Sequence, residues 1–184
     1  MARKEIQIYD IIEKKAGSNI AVQGISGLLG FPCTAVTDVA VFFTHYGPML
    51  NEIRAVYGRP SVSADVFLPI FKGCKQELLA DILLDKIVGN IPLFGLPANM
   101  ICAKAMTWRL GILFGMLAAR GEEIDQGNVE TAVRLIRELF PQRESIVFKK
   151  PSAATVEKLL NTVEGDTVES FDAKLDRILD AMAS

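Results

Sequence analysis

The chain has 184 residues, of which 50% are hydrophobic and 23% charged, with 20 basic against 22 acidic residues and a net charge of −2. That composition excludes a disordered polyelectrolyte. The basic pairs Lys14-Lys15 and Lys149-Lys150 stand apart, so the chain lacks the basic stripe that nucleic-acid binding requires. A mean hydropathy of +0.28 is high for a water-facing domain, so the chain must bury much of itself or cover its apolar surface with lipid or other chains.

Residues 2–15 read as a short amphipathic helix, with Ile6, Tyr9 and Ile12 at helical spacing and Ile8 and Ile11 beside them. Charges flank its apolar residues on both sides, unlike a signal peptide. Gly17 is expected to stop it, with Ser18 or Asn19 capping the next element. Residues 20–43 form a first apolar block whose one charge is Asp38. Gly30-Phe31-Pro32 should break this block, because proline cannot continue the helical ladder and restrains the residue before it. A helix is then expected from about Thr34 to Tyr57, kinked or divided at Gly47-Pro48, ended by Gly58 and turned by Arg59-Pro60.

Ser61 or Ser63 should open a third helix running to about Val88, with Leu78, Leu79, Ile82, Leu83 and Ile87 on one face. Residues 91–119 form the second apolar block. Gly95-Leu96-Pro97 is expected to break it, followed by a long helix from Ala98 to Arg120 that Gly121 ends. A charged helix from about Gln126 to Leu139 follows, with Val129, Val133 and Ile136 on its apolar face, stopped by Pro141. Residues 142–151 read as a linker. The tail, 152–184, holds seven acids against three bases. Ser152 should cap its first helix. A second helix from near Asp166 places Phe171, Leu175, Ile178, Leu179 and Met182 on one face, suited to docking. The organisation expected is therefore a helical core over 1–141, a linker over 142–151 and an acidic helical tail over 152–184.

Gly30-Phe31-Pro32 and Gly95-Leu96-Pro97 each close a short apolar run, and each precedes a long helix ending in glycine. Two readings stand: a twofold repeat of a broken-helix hairpin, or two ordinary hairpins of a bundle. Either way the fold class expected is all-α, a helical bundle with an acidic helical appendage.

The chemistry-bearing residues are sparse. Cys33, Cys74 and Cys102 are widely spaced among apolar residues, as reduced thiols of a cytoplasmic protein are, and have no metal-ligand spacing. His45 is the one histidine, and twelve residues from Cys33 it cannot pair with it on one helix. Asp81 and Asp85 share a helix face, but a di-metal bundle site also needs Glu-x-x-His motifs, and none is present. No GxxxxGK[ST], GxGxxG, GxSxG or HExxH phrase occurs. The sequence therefore predicts neither catalysis nor a cofactor nor a metal.

Asp38, Lys104 and Arg109 are the charges within the apolar blocks. Asp38 could pair with either cation in the interior, or each could sit on the narrow polar edge of its helix with the long cations snorkelling. Lys104 and Arg109 also make a simple membrane span over 98–119 costly. Gly111 and Gly115 form a small-xxx-small step that permits close helix approach. With Gly30, Pro32, Gly95, Pro97 and Trp108 they are the candidate packing or interface positions.

Phe31-Pro32…Asp38…Tyr57-Gly58, then Ile91-Pro92…Gly95 and Thr107…Leu110-Gly111, resemble the recurring phrases of a bacterial GTPase-associated helical family of unknown function. That family is found fused to or beside small and dynamin-like GTPases. The resemblance covers about residues 18–121. It implies a non-enzymatic helical module, cytoplasmic or peripheral to the inner membrane, that meets a membrane surface or further copies of itself and serves a GTPase partner. A soluble homo-oligomeric scaffold and a carrier of apolar ligands such as lipid are the alternative functions.

Overall fold

The computed structural model describes residues 3–26, 39–67, 95–121, 127, 129 and 149–165. Among them the secondary structure is helical, as expected of an all-α chain. The helices are α1 (Lys4–Ser26), α2 (Val39–Val56), α3 (Gly95–Arg120) and α4 (Ala153–Val163). Residues 64–67 add a single helical turn, and residues 127 and 129 are helical.

α3 is the central pillar, packed against by α1, α2 and α4. Every residue from Leu110 to Arg120 is buried, a helix apolar nearly all round and enclosed nearly all round. Residues 110–119, the end of the second apolar block, are therefore covered within the same chain. Contacts set the helix directions. Ile8 and Ile12 of α1 face Gly115 and Gly111 of α3 in reverse order, and Lys4 and Lys15 lie over the rings of Tyr57 and Tyr46. α1 is thus antiparallel to α2 and α3. Leu160 against Gly115 and Gly165 against Ala119 place α4 parallel to α3.

Several expectations are corrected. Gly17 does not end α1, which continues to Ser26. A mid-helix glycine costs about 1 kcal/mol against alanine, and the burial of Ile8, Ile12 and Ala16, each of the larger two contributing about 1.5–3 kcal/mol, outweighs that. Ser18 donates back to the Lys15 carbonyl at 2.9 Å and does not cap a new element. Of the apolar positions expected on α1, Ile8 and Ile12 are buried with Glu5 and Ala16, Tyr9 and Ile11 pack beside them, and Ile6 is only partly buried. Pro48 lies inside α2 without dividing it. Gly95-Leu96-Pro97 is no break: it forms the first turn of α3, where a backbone N–H has no intrahelical partner and proline is tolerated.

Other boundaries fall as the residues predict. Gly58 and Gly121 follow α2 and α3 with φ of 68° and 75°. After α2, Gly58 N–H donates to Ala55 and Arg59 N–H to Arg54, at 3.0 and 2.9 Å. This is the paired bonding of a Schellman cap, for which a left-handed residue is required. Ser152 caps α4, its Oγ accepting from Thr155 N–H at 3.1 Å. The one described turn after Ser63 begins with Phe67 N–H donating to the Ser63 carbonyl. The hairpin around Gly30-Phe31-Pro32, most of the helix expected to Val88, most of the 126–139 helix and the helix expected from Asp166 lie outside the described residues.

Candidate functional site

Two places in the bundle join its helices, and the first of them gathers residues singled out by sequence. The first is a seam down α3 made by Trp108, Gly111 and Gly115. A Cβ on Gly111 would lie 2.4 Å from Ile12 Cγ1, and one on Gly115 3.2 Å from Leu160 Cδ2 and 3.4 Å from Ile8 Cγ2. The glycines let α1 and α4 approach the α3 backbone more closely than alanine would permit at Gly111. Trp108 is fully buried, its ring 5.0 Å from Tyr9 and tilted by 58°. No described group accepts from its indole N–H. Lys150 stands 5.6 Å above the other partner, Tyr9. Beside the seam, burial pushes the phenol of Tyr46 up to about 12.

The second place was not singled out by sequence. The C-termini of α2, α3 and α4 gather around the N-terminus of α1. Gly58, Gly121 and Gly165 end the three helices, and Gly165 N–H donates to the Ala119 carbonyl of α3 at 3.2 Å. Three negative helix ends thus meet one positive end. Arg54 and Arg120, in the last turns of α2 and α3, are 4% and 5% exposed, and Glu5 in the first turn of α1 is 6% exposed. Arg54 Nε donates to the Pro60 carbonyl at 2.8 Å. Asn51 fastens the same loop twice, accepting from Val62 N–H at 2.8 Å and donating to the Val62 carbonyl at 3.2 Å. The loop so held carries Phe67 to an edge-on contact with Phe114 of α3. Arg59 lies against Gly121. Lys4 pairs with Glu164 at 3.1 Å and covers the Tyr57 ring. Burial, with Glu164 and Glu5 nearby, holds the Tyr57 phenol well above its ordinary range. The signal that could have revealed this cluster is the repeated pairing of a last-turn arginine with a terminal glycine, Arg54 with Gly58 and Arg120 with Gly121.

Lys104 and Arg109 are both only partly buried on α3. Asp38, Gly30 and Pro32 lie outside the described residues, as do Phe171, Leu175, Ile178, Leu179 and Met182, Cys33, Cys74, Asp81 and Asp85. His45 is carried by α2 and Cys102 by α3. Gly95 and Pro97 belong to the first turn of α3. Among the described residues no three His, Cys, Asp or Glu side chains gather as a metal would need, and no described helix is long and apolar enough to cross a membrane. Chemically, both places serve to hold helices together: the seam by shape, the polar end by hydrogen bonds and charge. No protein-family model, no curated protein and no solved structure matches the chain.

Proposed function

We propose that this chain is a non-enzymatic helical module that acts by association, with a membrane surface or with further copies of itself, as the accessory of a GTPase. The observation that supports an associating scaffold is the enclosure of α3: residues 110–120 are buried by helices of their own chain, giving a packed pillar on which other segments can be presented. Val66 is a large hydrophobic side chain that stands 52% exposed. The reading assigns association to the first apolar block, around Gly30-Phe31-Pro32, whose one charge is Asp38.

Light scattering and liposome flotation on one purified sample of the full chain test this. Self-association gives a mass at a multiple of 20.1 kDa without detergent, and surface association carries the protein up with the vesicles. A lipid-free monomer that stays behind in the flotation gradient rejects the proposal.

A further inference from the structure

We propose that α4 is a detachable strap, held to α1 by ion pairs that salt screens, which lifts off as a unit while α1, α2 and α3 stay folded. Its apolar hold is a single stripe on a helix of 11 residues, Val156, Leu159, Leu160 and Val163, with Leu160 seated on Gly115. Three ion pairs run from its segment to the first helix and the residue before it: Arg3 with Glu157, Lys4 with Glu164, and Lys150 with Glu13. The members of each pair are between 22% and 72% exposed, so water and salt reach all three. α3 offers the opposite case, since its hold over 110–118 is apolar contact that moderate salt does not weaken. A short helix with one buried stripe and exposed polar ties belongs to the low-stability end of a protein's opening motions.

Lifting the strap uncovers the seam where Ile8 and Gly115 face Leu160. Ionic strength then opens and closes an apolar groove of helix width, a device that goes beyond the association reading and stands whether or not that reading holds.

Hydrogen exchange on the full chain tests it, comparing amides of residues 156–163 with those of 112–118 between low salt and about 1 M NaCl, where the screening length falls to about 3 Å. The expected result is exchange about tenfold faster in 156–163 at high salt, from three weak pairs acting together, with 112–118 unchanged as the internal reference. Exchange of both segments in step, or no salt response in 156–163, overturns the strap. Glu157→Arg should accelerate exchange of 156–163 at low salt, and Arg3→Glu in the same chain should restore it. Failure of that rescue also overturns the proposal, and the salt series on the unaltered chain remains decisive if the single variant does not fold.

Discussion

The middle of the bundle and its polar end hold the same helices together by different means. In the middle, Ile12 reaches the α3 backbone because Gly111 has no side chain, and Trp108 and Tyr9 fill the space beside them. At the end, glycines shape the backbone to complete hydrogen bonds, and arginines answer the helix dipoles. Glycine serves both places for unrelated reasons: its size matters at Gly111, its left-handed backbone at Gly58 and Gly121. The difference teaches that a glycine's role is fixed by what faces it.

Adding bulk at the middle should break it most. Gly111→Leu drives side-chain atoms into Ile12, and overpacking of this kind costs about 3 kcal/mol. Ile12→Ala in the same chain moves the bulk back across the seam and should recover more than half of that loss, read as the urea midpoint. If the double variant is less stable than Gly111→Leu alone, the contact is not what makes Gly111 intolerant.

The phenol beside the seam gives the next effect, one driven by pH. The folded Tyr46 is pushed up to about 12 from an ordinary value of 10. The neutral phenol is therefore favoured by folding, a contribution fully present below pH 10. It is lost as pH rises from 10 through about 12, because the unfolded chain releases its proton first. A two-unit shift corresponds to about 2–3 kcal/mol. Thermal melts across that window should lose this stability, and Tyr46→Phe should flatten part of the curve, leaving the drop due to Tyr57, whose phenol is also held above its ordinary range by burial.

The polar end should respond more mildly and in a graded way. Gly58→Ala meets open space and suffers only the left-handed backbone, about 1 kcal/mol. Gly121→Ala meets the same backbone penalty and also the Arg59 guanidinium, 2.2 Å from the new Cβ. Gly121→Ala should therefore cost more than Gly58→Ala in chemical denaturation, and Arg59→Ala should bring the two together. Equal costs with Arg59 in place would show that Arg59 swings away freely.

The parts legible in the sequence were those signalled by residues with one dominant local meaning. Gly58 and Gly121 after apolar helical runs, and Ser152 ahead of Ala153, announce caps, and the structure places caps there. Gly17 and Gly95-Leu96-Pro97 misled because their meaning depends on surroundings. Packing of Ile8, Ile12 and Ala16 carries α1 past Gly17, and a proline in a first turn gives up nothing the helix needed. In the candidate sites, Trp108, Gly111 and Gly115 were visible as an aromatic and a small-residue step on one apolar helix. Glu5, Arg54 and Arg120 were not, because a charge near a helix end ordinarily faces water. Only the convergence of three helix ends at α1 buries them, and convergence is a property of the fold and not of any local stretch.

The direction of the helices also constrains how the chain reaches its native state. α2, α3 and α4 point one way, so the chain must return along the bundle before each of the latter two begins. α1 meets α4 through Arg3 and Glu157, 154 residues apart. Much of the bundle's contact order is therefore long-range, and loop closure must be accomplished before those contacts reward it. On the ribosome α1 is made before α3 and α4, so Gly111, Gly115 and Leu160 emerge long after Ile8 and Ile12. Until they do, Ile8 and Ile12 stay unpaired with their final neighbours, the interval in which a nascent apolar stripe is most exposed to chaperones and to misassociation.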